Sequence, residues 1–410
     1  MFRYKTSQMD NEIQTKINNA IDRAIEEFQN NEDLIYENEK DRLIFKFSTQ
    51  EKLNNWEKNK KCIVIGCEKK SIIRSHTIQK SGSIKSVSEN GHVYTPVCNE
   101  SIEIIMSKIG INNASTFPGY CSEHELLFKD FENNKDIKNG NDLALQLYRT
   151  VCREIVITEN IIKSTSTLIE EYIKFRDKKI FELITEQLEF DFIKKNEISF
   201  KNCSVKYEDS KLTASKEMLK NKKKYLNDFL NNFHKAILRD LKSKKFNQIA
   251  YKAIDYNKAF PVALAGRGNF HIKSKTKSKN IEVILNVLPI ENKTYIFIAT
   301  LKKHTNELKK YMDCFVNPLE IANMIESWMI HGTDHWFITP SVWENIDSNY
   351  KSKIANKILD ENYNIGNELE FSIFNNLKLE SITLMEKNYK ELDNYLIELL
   401  EKEKLKLTNI

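Results

Sequence analysis

The amino-acid sequence predicts a mixed α+β protein, and three observations support this fold class. Apolar residues recur at helical spacing over 8–40 and again over 142–190, which predicts long helices. By contrast, the runs IEVILNVLP (281–289) and KTYIFIATL (293–301) are rich in β-branched and aromatic residues and are joined by a short polar turn, which predicts a β-hairpin. The 410 residues include few glycines (10) and prolines (6), so we expect few long loops.

Changes in this pattern divide the chain into five predicted regions. They are an N-terminal helical segment (1–57), a small module whose core is expected to be partly a metal (58–135), a long helical region (140–245), a sheet-containing α+β domain (246–380) and an amphipathic C-terminal helix (381–410). The last helix has apolar residues alternately four and three apart, which is a heptad-like seam. We expect it to pack on the chain's own helices, with homodimerisation or a protein partner as the alternative.

Composition argues against several classes of protein. The net charge is +5, from 63 Lys and Arg against 58 Asp and Glu, which is too small to identify a partner by itself. No apolar run approaches the roughly 20 residues of a membrane-crossing helix, and no signal peptide is visible, so we expect a cytoplasmic protein without membrane contact. Seven cysteines in such a chain are more typical of metal ligands and core residues than of disulfides. No GxxxxGK[ST] phosphate loop occurs, which argues against nucleotide hydrolysis.

Two pairs of potential metal ligands lie about fifty residues apart. The first pair is Cys62-x4-Cys67 and the second is Cys121-x2-His124. Three thiolates and one imidazole form the closed tetrahedral shell of a structural zinc site. The sequence therefore predicts a structural zinc ion held by these four residues, with Cys98 as an alternative for one of them. If no metal binds there, the cysteines would be ordinary core residues.

The order of these residues resembles the treble-clef, or ββα-metal, form of the HNH endonuclease superfamily. The resemblance covers 58–135 alone. It comprises the first cysteine pair, the block RSHTIQ (74–79), the block NGH (90–92) and the second ligand pair opening a helix. It implies a ββα unit built on a zinc knuckle and a nuclease activity.

The resemblance assigns roles to particular residues. It implies that His76 is the general base acting on water and that Asn90 braces the loop. It also implies a second, catalytic ion, Mg²⁺ or Mn²⁺, for which Glu125 and His92 are candidate ligands. The chain departs from the family pattern in two places. Ser75 stands where an Asp or His usually precedes the base, and Glu125 stands where the helix usually carries Asn or His.

The residues themselves also suit phosphodiester hydrolysis. Histidine is the side chain whose ordinary pKa lies closest to neutrality, so His76 is a suitable base. Arg74 lies two positions earlier, and on a β-strand the two side chains would share a face. That arrangement would place a cation beside the base, where it could clamp a phosphate. The alternative is a structural His76 that bonds a backbone carbonyl.

Basic residues are concentrated near this module. Residues 54–85 contain eight Lys or Arg and two Glu, a net charge of +6. Lys and Arg contacts to phosphates supply most non-specific nucleic-acid affinity, and Trp56 and Tyr94 could stack on bases. We therefore expect a nucleic-acid partner, DNA rather than RNA, with a merely solvated basic face as the alternative. The basic segment 211–245 is more typical of a solvated helix.

The stretch HGTDHWF (331–337) is the other conspicuous motif. We expect Trp336 to begin a buried strand and His335 to be a satisfied polar neighbour. The alternative is a metal site formed by His331, Asp334 and His335. It is disfavoured because Gly332 and Thr333 would break the helix that two histidines four residues apart require.

These features lead to one functional hypothesis and two alternatives. The leading hypothesis is a zinc-stabilised, metal-dependent nuclease of HNH type, with an appended C-terminal half that senses or regulates. Such architectures resemble bacterial restriction, anti-phage defence or toxin proteins. The first alternative is a zinc-containing nucleic-acid-binding or scaffold protein without catalysis, and the second is a subunit that is inert without a partner.

Overall fold

A computed structural model describes most of the chain. The described residues are 11–30, 60–72, 74–99, 104–134, 136–198, 200, 204–207, 210–273, 278–358, 364–387 and 392–408. Over these ranges the protein combines a long helix with a β-sheet, so the predicted mixed α+β class is confirmed. No helix in these ranges contains an apolar stretch long enough to cross a membrane.

Helices form most of the described structure. Their bounds are α1 Asn11–Asn30, α2 Ser122–Glu125, α3 Lys129–Asn134, α4 Gly140–Leu188, α5 Phe190–Lys195, α6 Ser210–Tyr225, α7 Asn231–Ser243, α8 Thr305–Met312, α9 Pro318–Ser327, α10 Pro340–Glu344, α11 Ser348–Lys357, α12 Asn375–Lys387 and α13 Asn394–Thr408. The long helix predicted over 142–190 is confirmed by α4. The helix predicted over 8–40 is confirmed for α1, while 8–10 and 31–40 lie outside the described residues.

The strands form two sheets. Their bounds are β1 Ser75–His76, β2 His92–Cys98, β3 Ile104–Gly110, β4 Thr116–Phe117, β5 Ile249–Tyr256, β6 Val262–Lys273, β7 Ser278–Ile290, β8 Lys293–Leu301 and β9 Trp336–Ile338. Strands β1 and β4 form a two-stranded antiparallel sheet. The other seven form one antiparallel sheet in the order β3-β2-β9-β6-β7-β8-β5.

The predicted hairpin is confirmed by β7 and β8. Ile290 pairs with Lys293, so a two-residue turn joins the strands, and Glu291 at that turn has a positive φ of 54°. Along β7, Val283, Leu285 and Val287 point into the main apolar core because side chains alternate between faces. The buried strand predicted at Trp336 is also confirmed, as β9.

The chain divides into two compact units. The first comprises 1–54 and 158–225, and its described core joins α1 to the C-terminal half of α4 through residues such as Ile17, Phe28 and Ile184. The second comprises 55–157 and 226–410.

The second unit combines two regions that the sequence suggested were separate. Strands β2 and β3 come from the predicted metal module (58–135), yet β2 pairs with β9 through Tyr94 and Ile338. One sheet therefore contains strands from this module and from the predicted α+β domain (246–380). Long-range antiparallel pairing of this kind leaves no local signal in the sequence.

The C-terminal helices pack within the second unit. Leu399 and Leu400 of α13 are buried against Leu319 and Ile382, as expected for a seam that packs on the chain's own helices. Beneath them lies a buried ionic network centred on Lys378 of α12, which is 0% exposed. Its ammonium group donates to Glu326 Oε2 at 2.7 Å and to Glu403 Oε2 at 3.0 Å.

Removal of this buried cation should strongly destabilise the second unit. Lys378→Met leaves Glu326 and Glu403 without their shared partner, and breaking a buried pair from one side costs about 3–5 kcal/mol. Urea denaturation followed by tryptophan fluorescence measures the loss, because Trp328 lies in the adjacent core. The control Lys402→Met removes an exposed pair with Glu368 and should cost less than about 1 kcal/mol. Equal losses in the two variants would contradict the network's role.

Candidate metal centre and its surroundings

A tight knuckle positions the first ligand pair. Cys62 N–H donates to the Lys69 carbonyl at 2.8 Å, and Cys67 N–H donates to the Val64 carbonyl at 3.0 Å. The turn passes through Gly66 at φ +83°, a left-handed conformation that favours glycine. The backbone therefore folds back on itself and brings both cysteine side chains to one end of the knuckle.

The second ligand pair follows β4 and begins a helix. Gly119 allows the chain to pass over Phe117, since a Cβ atom at Gly119 would stand 2.3 Å from that ring. Two backbone hydrogen bonds join this turn to the knuckle segment. Ile63 N–H donates to the Gly119 carbonyl at 2.9 Å, and Ile72 N–H donates to the Tyr120 carbonyl at 2.7 Å. Backbone pairing thus places Cys121, directly before α2, beside the first pair.

The four predicted zinc ligands meet in space. Their ligand atoms, one from each side chain, all lie within 4.8 Å of one another. Cys121 Sγ lies 3.9 Å from Cys67 Sγ and 3.3 Å from His124 Nδ1, and Cys62 Sγ lies 3.4 Å from the same nitrogen. A tetrahedral zinc ion with bonds of about 2.3 Å to sulfur and about 2.0 Å to nitrogen needs separations of about 3.5–3.8 Å. The set could therefore bind a metal ion such as zinc, with His124 coordinating through Nδ1.

The two buried thiols of this set have different surroundings. Burial raises the pKa of Cys62 to about 11. The backbone N–H groups of His124 and Glu123 at the start of α2 lower the pKa of Cys121 to about 7. A bound cation would favour the thiolate of both cysteines. The side chain of Cys98, the alternative ligand, lies outside the described part of the structure.

His76 lies in the two-stranded sheet next to this centre. It pairs with Thr116, and its Nδ1 lies 3.0 Å from the Ala114 carbonyl oxygen. That acceptor identifies Nδ1 as the protonated nitrogen and leaves Nε2 with the lone pair. Burial lowers the pKa of His76 to about 4, partly offset by the Glu132 carboxylate. His76 is therefore neutral at physiological pH.

The chain after His76 is held by buried side chains. Ile78 N–H donates to Ser115 Oγ at 2.8 Å, and Gln79 Nε2 donates to the Phe131 carbonyl at 2.9 Å. Gln146 of α4 donates to the Thr77 carbonyl at 3.1 Å. These bonds fix the strand that carries His76 relative to α3 and to the first turns of α4.

A buried arginine that the sequence analysis missed joins the same helices. Arg149 of α4 is 1% exposed, and its guanidinium pairs with Glu125 Oε1 at 2.9 Å and with Glu132 Oε1. It also lies 4.3 Å from the centroid of the Phe128 ring. Arg149 lies two positions from Leu147 and from Val151, on a different face of the helix, and nothing in its sequence neighbourhood signals the two carboxylate partners. We call Glu125, Arg149 and Glu132 the carboxylate–arginine triad.

The other predicted site residues are spread around the module. Arg74 is exposed and lies in a turn before β1, so the shared strand face predicted for Arg74 and His76 is not formed. Asn90, at φ 51°, and Gly91 form the tight turn before β2. His92 is exposed at the start of that strand, where its Nδ1 lies 2.8 Å from the Asn90 carbonyl oxygen.

A second set of metal ligands is not assembled at His76. Among the described residues, the Cys₃His set is the single group of His, Cys, Asp or Glu side chains close enough to share an ion. One oxygen of Glu125 is bound to Arg149, and the other is buried without a partner.

The alternative metal site in the HGTDH stretch is not assembled either. His335 there has its Nδ1 2.6 Å from the Ala265 carbonyl oxygen.

Comparisons with known proteins add no relative to this description. No family model, no curated protein and no solved structure matches the chain. The function must therefore be argued from the site itself.

Loss of one ligand should release the metal. Purified protein is expected to contain about one zinc ion per chain, and Cys121→Ser should reduce that content to near zero because a closed site needs all four ligands. Elemental analysis per chain is the measurement. Cys314→Ser is the matched control, since Cys314 is exposed and far along the chain from the ligand pairs. Full zinc content in Cys121→Ser would contradict the assignment.

Proposed function

We propose that the protein is a zinc-stabilised nuclease of HNH type that hydrolyses phosphodiester bonds in DNA. The observation that carries the proposal is the position of His76, a neutral imidazole fixed through Nδ1 within a hairpin that adjoins the Cys₃His set. A role in restriction or anti-phage defence remains a prediction from the order of regions alone.

The local topology supports a treble clef. A knuckle carries the first ligand pair, the β1–β4 hairpin follows, and the helical segment 122–134 begins directly at the second pair. In a treble clef, the metal joins a knuckle to the first turn of a helix across a hairpin, as the resemblance implies. Residues 77–115 are inserted between the two hairpin strands, and they include the sheet strands β2 and β3.

His76 would act as the base. Its Nε2 carries the lone pair, because the Ala114 carbonyl oxygen holds the proton on Nδ1. Nε2 would take a proton from water as the water oxygen attacks phosphorus. The bond from phosphorus to the leaving oxygen would break with its electron pair going to that oxygen, which would take a proton from solvent. Glu132 lies close enough to favour the resulting imidazolium electrostatically.

The residues around His76 do not fit the catalytic Mg²⁺ or Mn²⁺ ion that the resemblance implies. Arg149 already occupies the space between Glu125 and Glu132. Counted at full ionisation, the carboxylate–arginine triad has a net charge of −1, so it would not attract a phosphate by itself. The proposal therefore takes no step through a second ion, and positive charge near the substrate would come from the half-buried Lys80 and the exposed Arg74.

The same triad supports a second candidate function, a nucleic-acid-binding protein without catalysis. Glu125 and Glu132, both in the helical segment 122–134, are paired with Arg149, as expected for a structural clamp. In that case the zinc centre and its basic surroundings would bind DNA, and His76 would hold the hairpin through Ala114.

Substitution of the base separates these two candidates. His76→Ala should lower DNA cleavage by at least about 100-fold, the usual contribution of a general base, while zinc content and DNA affinity stay unchanged. The measurement is cleavage of a labelled duplex with no added divalent ion, with Mg²⁺ and with Mn²⁺. His271→Ala, an exposed histidine on β6, serves as the control. Cleavage that survives in His76→Ala would reject the assignment, and absence of cleavage in the unmodified protein would leave the binding function.

The pH dependence of cleavage tests whether partial burial lowers the pKa of His76. Since the pKa of His76 is about 4, Nε2 is unprotonated above that pH, and the cleavage rate should be level from about pH 6 to about pH 8. The rate should fall only as the pH drops toward about 4. An exposed histidine would instead lose half its activity near pH 6.5. Tryptophan fluorescence at each pH checks that the protein stays folded, and a midpoint near 6.5 would contradict the buried environment.

A further inference from the structure

A buried polar network joins the strand of His76 to the seven-stranded sheet. Gln146 of α4 donates from Nε2 to the Thr77 carbonyl at 3.1 Å and to Asn286 Oδ1 at 3.0 Å. Asn286 lies on β7 and also accepts from Thr150 Oγ1 at 2.9 Å. Because Thr77 directly follows His76, the network connects the sheet to the backbone beside the proposed base.

The network is fully buried between α4 and β7. Gln146, Thr150 and Asn286 are each 0% exposed. Gln146 and Thr150 are four positions apart, so both side chains lie on one face of α4. Asn286 pairs with Ala265 of β6 and with Phe297 of β8, in the interior of the sheet. The neighbouring strands therefore hold the backbone of Asn286 on both sides.

Stability alone does not account for this pair of buried amides. A buried amide hydrogen bond replaces bonds to water, so an apolar pair of the same shape would be about as stable. Two of the amide atoms, Gln146 Oε1 and Asn286 Nδ2, also have no hydrogen-bond partner among the described residues. Buried polar atoms of this kind destabilise a fold, and they are expected chiefly at functional sites. An apolar pair could not donate to the Thr77 carbonyl, so the amides provide direction rather than stability.

We propose that Asn286 is a positioning residue for His76. It acts through Gln146, whose bond to the Thr77 carbonyl holds the residue next to the imidazole. Thr77 N–H donates to the Ser115 carbonyl at 2.8 Å, so both polar groups of its backbone are fixed. The inference rests on the proposed function in taking His76 as the base, and it gives the seven-stranded sheet the role of orienting that base. A displacement of about 1 Å at a reacting group can cost about 100-fold in rate.

A double-mutant cycle tests whether Asn286 acts through Gln146. Gln146→Leu should lower kcat for duplex cleavage about tenfold with KM unchanged, because the strand of the base loses a donor while the substrate surface is kept. Asn286→Leu should cause a smaller loss, since Gln146 remains but is no longer held. Adding Asn286→Leu to Gln146→Leu should cause no further loss of rate. The double variant contains neither amide, so its urea midpoint should stay near that of the unmodified protein.

Histidine side-chain NMR reports the orientation of the imidazole without any cleavage. The nitrogen signals of His76 are assigned by their absence in His76→Ala. In the unmodified protein they should show one tautomer, protonated at Nδ1, because the Ala114 carbonyl accepts there. In Gln146→Leu and in the double variant they should move toward the average of the two tautomers.

Thr300→Val is the matched control. Thr300 is equally buried, on β8, and its hydroxyl donates to the Glu282 carbonyl at 2.7 Å, a bond that stays within the sheet. Its substitution removes a buried hydrogen bond but should change neither the cleavage rate nor the His76 signals.

Each result supports or overturns the inference. Averaged His76 signals and a lower rate in Gln146→Leu, with no further effect of Asn286→Leu, support it. Unchanged His76 signals in the double variant overturn it and leave the proposed nuclease intact, provided that the unmodified protein cleaves DNA. Additive losses in the cycle, or an equal loss in Thr300→Val, also overturn it, because they show a general effect on the fold. If the unmodified protein does not cleave DNA, the proposed function fails, and the His76 signals still decide whether the network orients the imidazole.

Discussion

The Cys₃His set brings together two short pieces of chain, the knuckle and the start of α2, which two backbone hydrogen bonds also connect. The hairpin beside it has two residues in each strand, and the helix that follows begins with a single four-residue turn. Elements of this size are not stable alone in water. In small zinc domains, metal binding contributes on the order of 10 kcal/mol to folding. On our proposal, closure of these four ligands around one ion therefore adds to the buried hydrogen bonds that fix the strand carrying His76.

A second constraint fixes this centre within its unit. Arg149 reaches from α4 to Glu125 and Glu132, which lie directly after the metal ligands. A buried guanidinium without its carboxylate partners strongly destabilises the fold. Displacement of the helical segment 122–134 would separate Arg149 from both partners and is therefore unfavourable. The same ion pairs prevent Glu125 and Glu132 from serving as ligands of a catalytic divalent cation. The triad therefore fixes the helical segment and at the same time leaves its two carboxylates unavailable to a catalytic cation.

The sequence predicted those features that have local signals. Ligand spacing and type predicted the set of four residues that meet, and β-branched and aromatic runs joined by a short polar turn predicted the β7–β8 hairpin. Long-range contacts were not predictable in this way. Arg149 lies 17 and 24 residues from its two partners and looks like an ordinary helical residue, so the triad was missed. The pairing of β2 with β9 was missed for the same reason. Arg74 was expected to share a strand face with His76, but the strand begins only at Ser75.

The most direct measurement of the central claim is X-ray absorption at the zinc edge of the purified protein. Our account predicts a first shell of three sulfur atoms at about 2.3 Å and one nitrogen atom at about 2.0 Å. It also predicts that His124→Cys replaces the nitrogen by a fourth sulfur. A shell dominated by oxygen, or a nitrogen shell that persists unchanged in His124→Cys, would show that the knuckle and the helix do not share one ion. The proposed zinc support of His76 would then lose its physical basis.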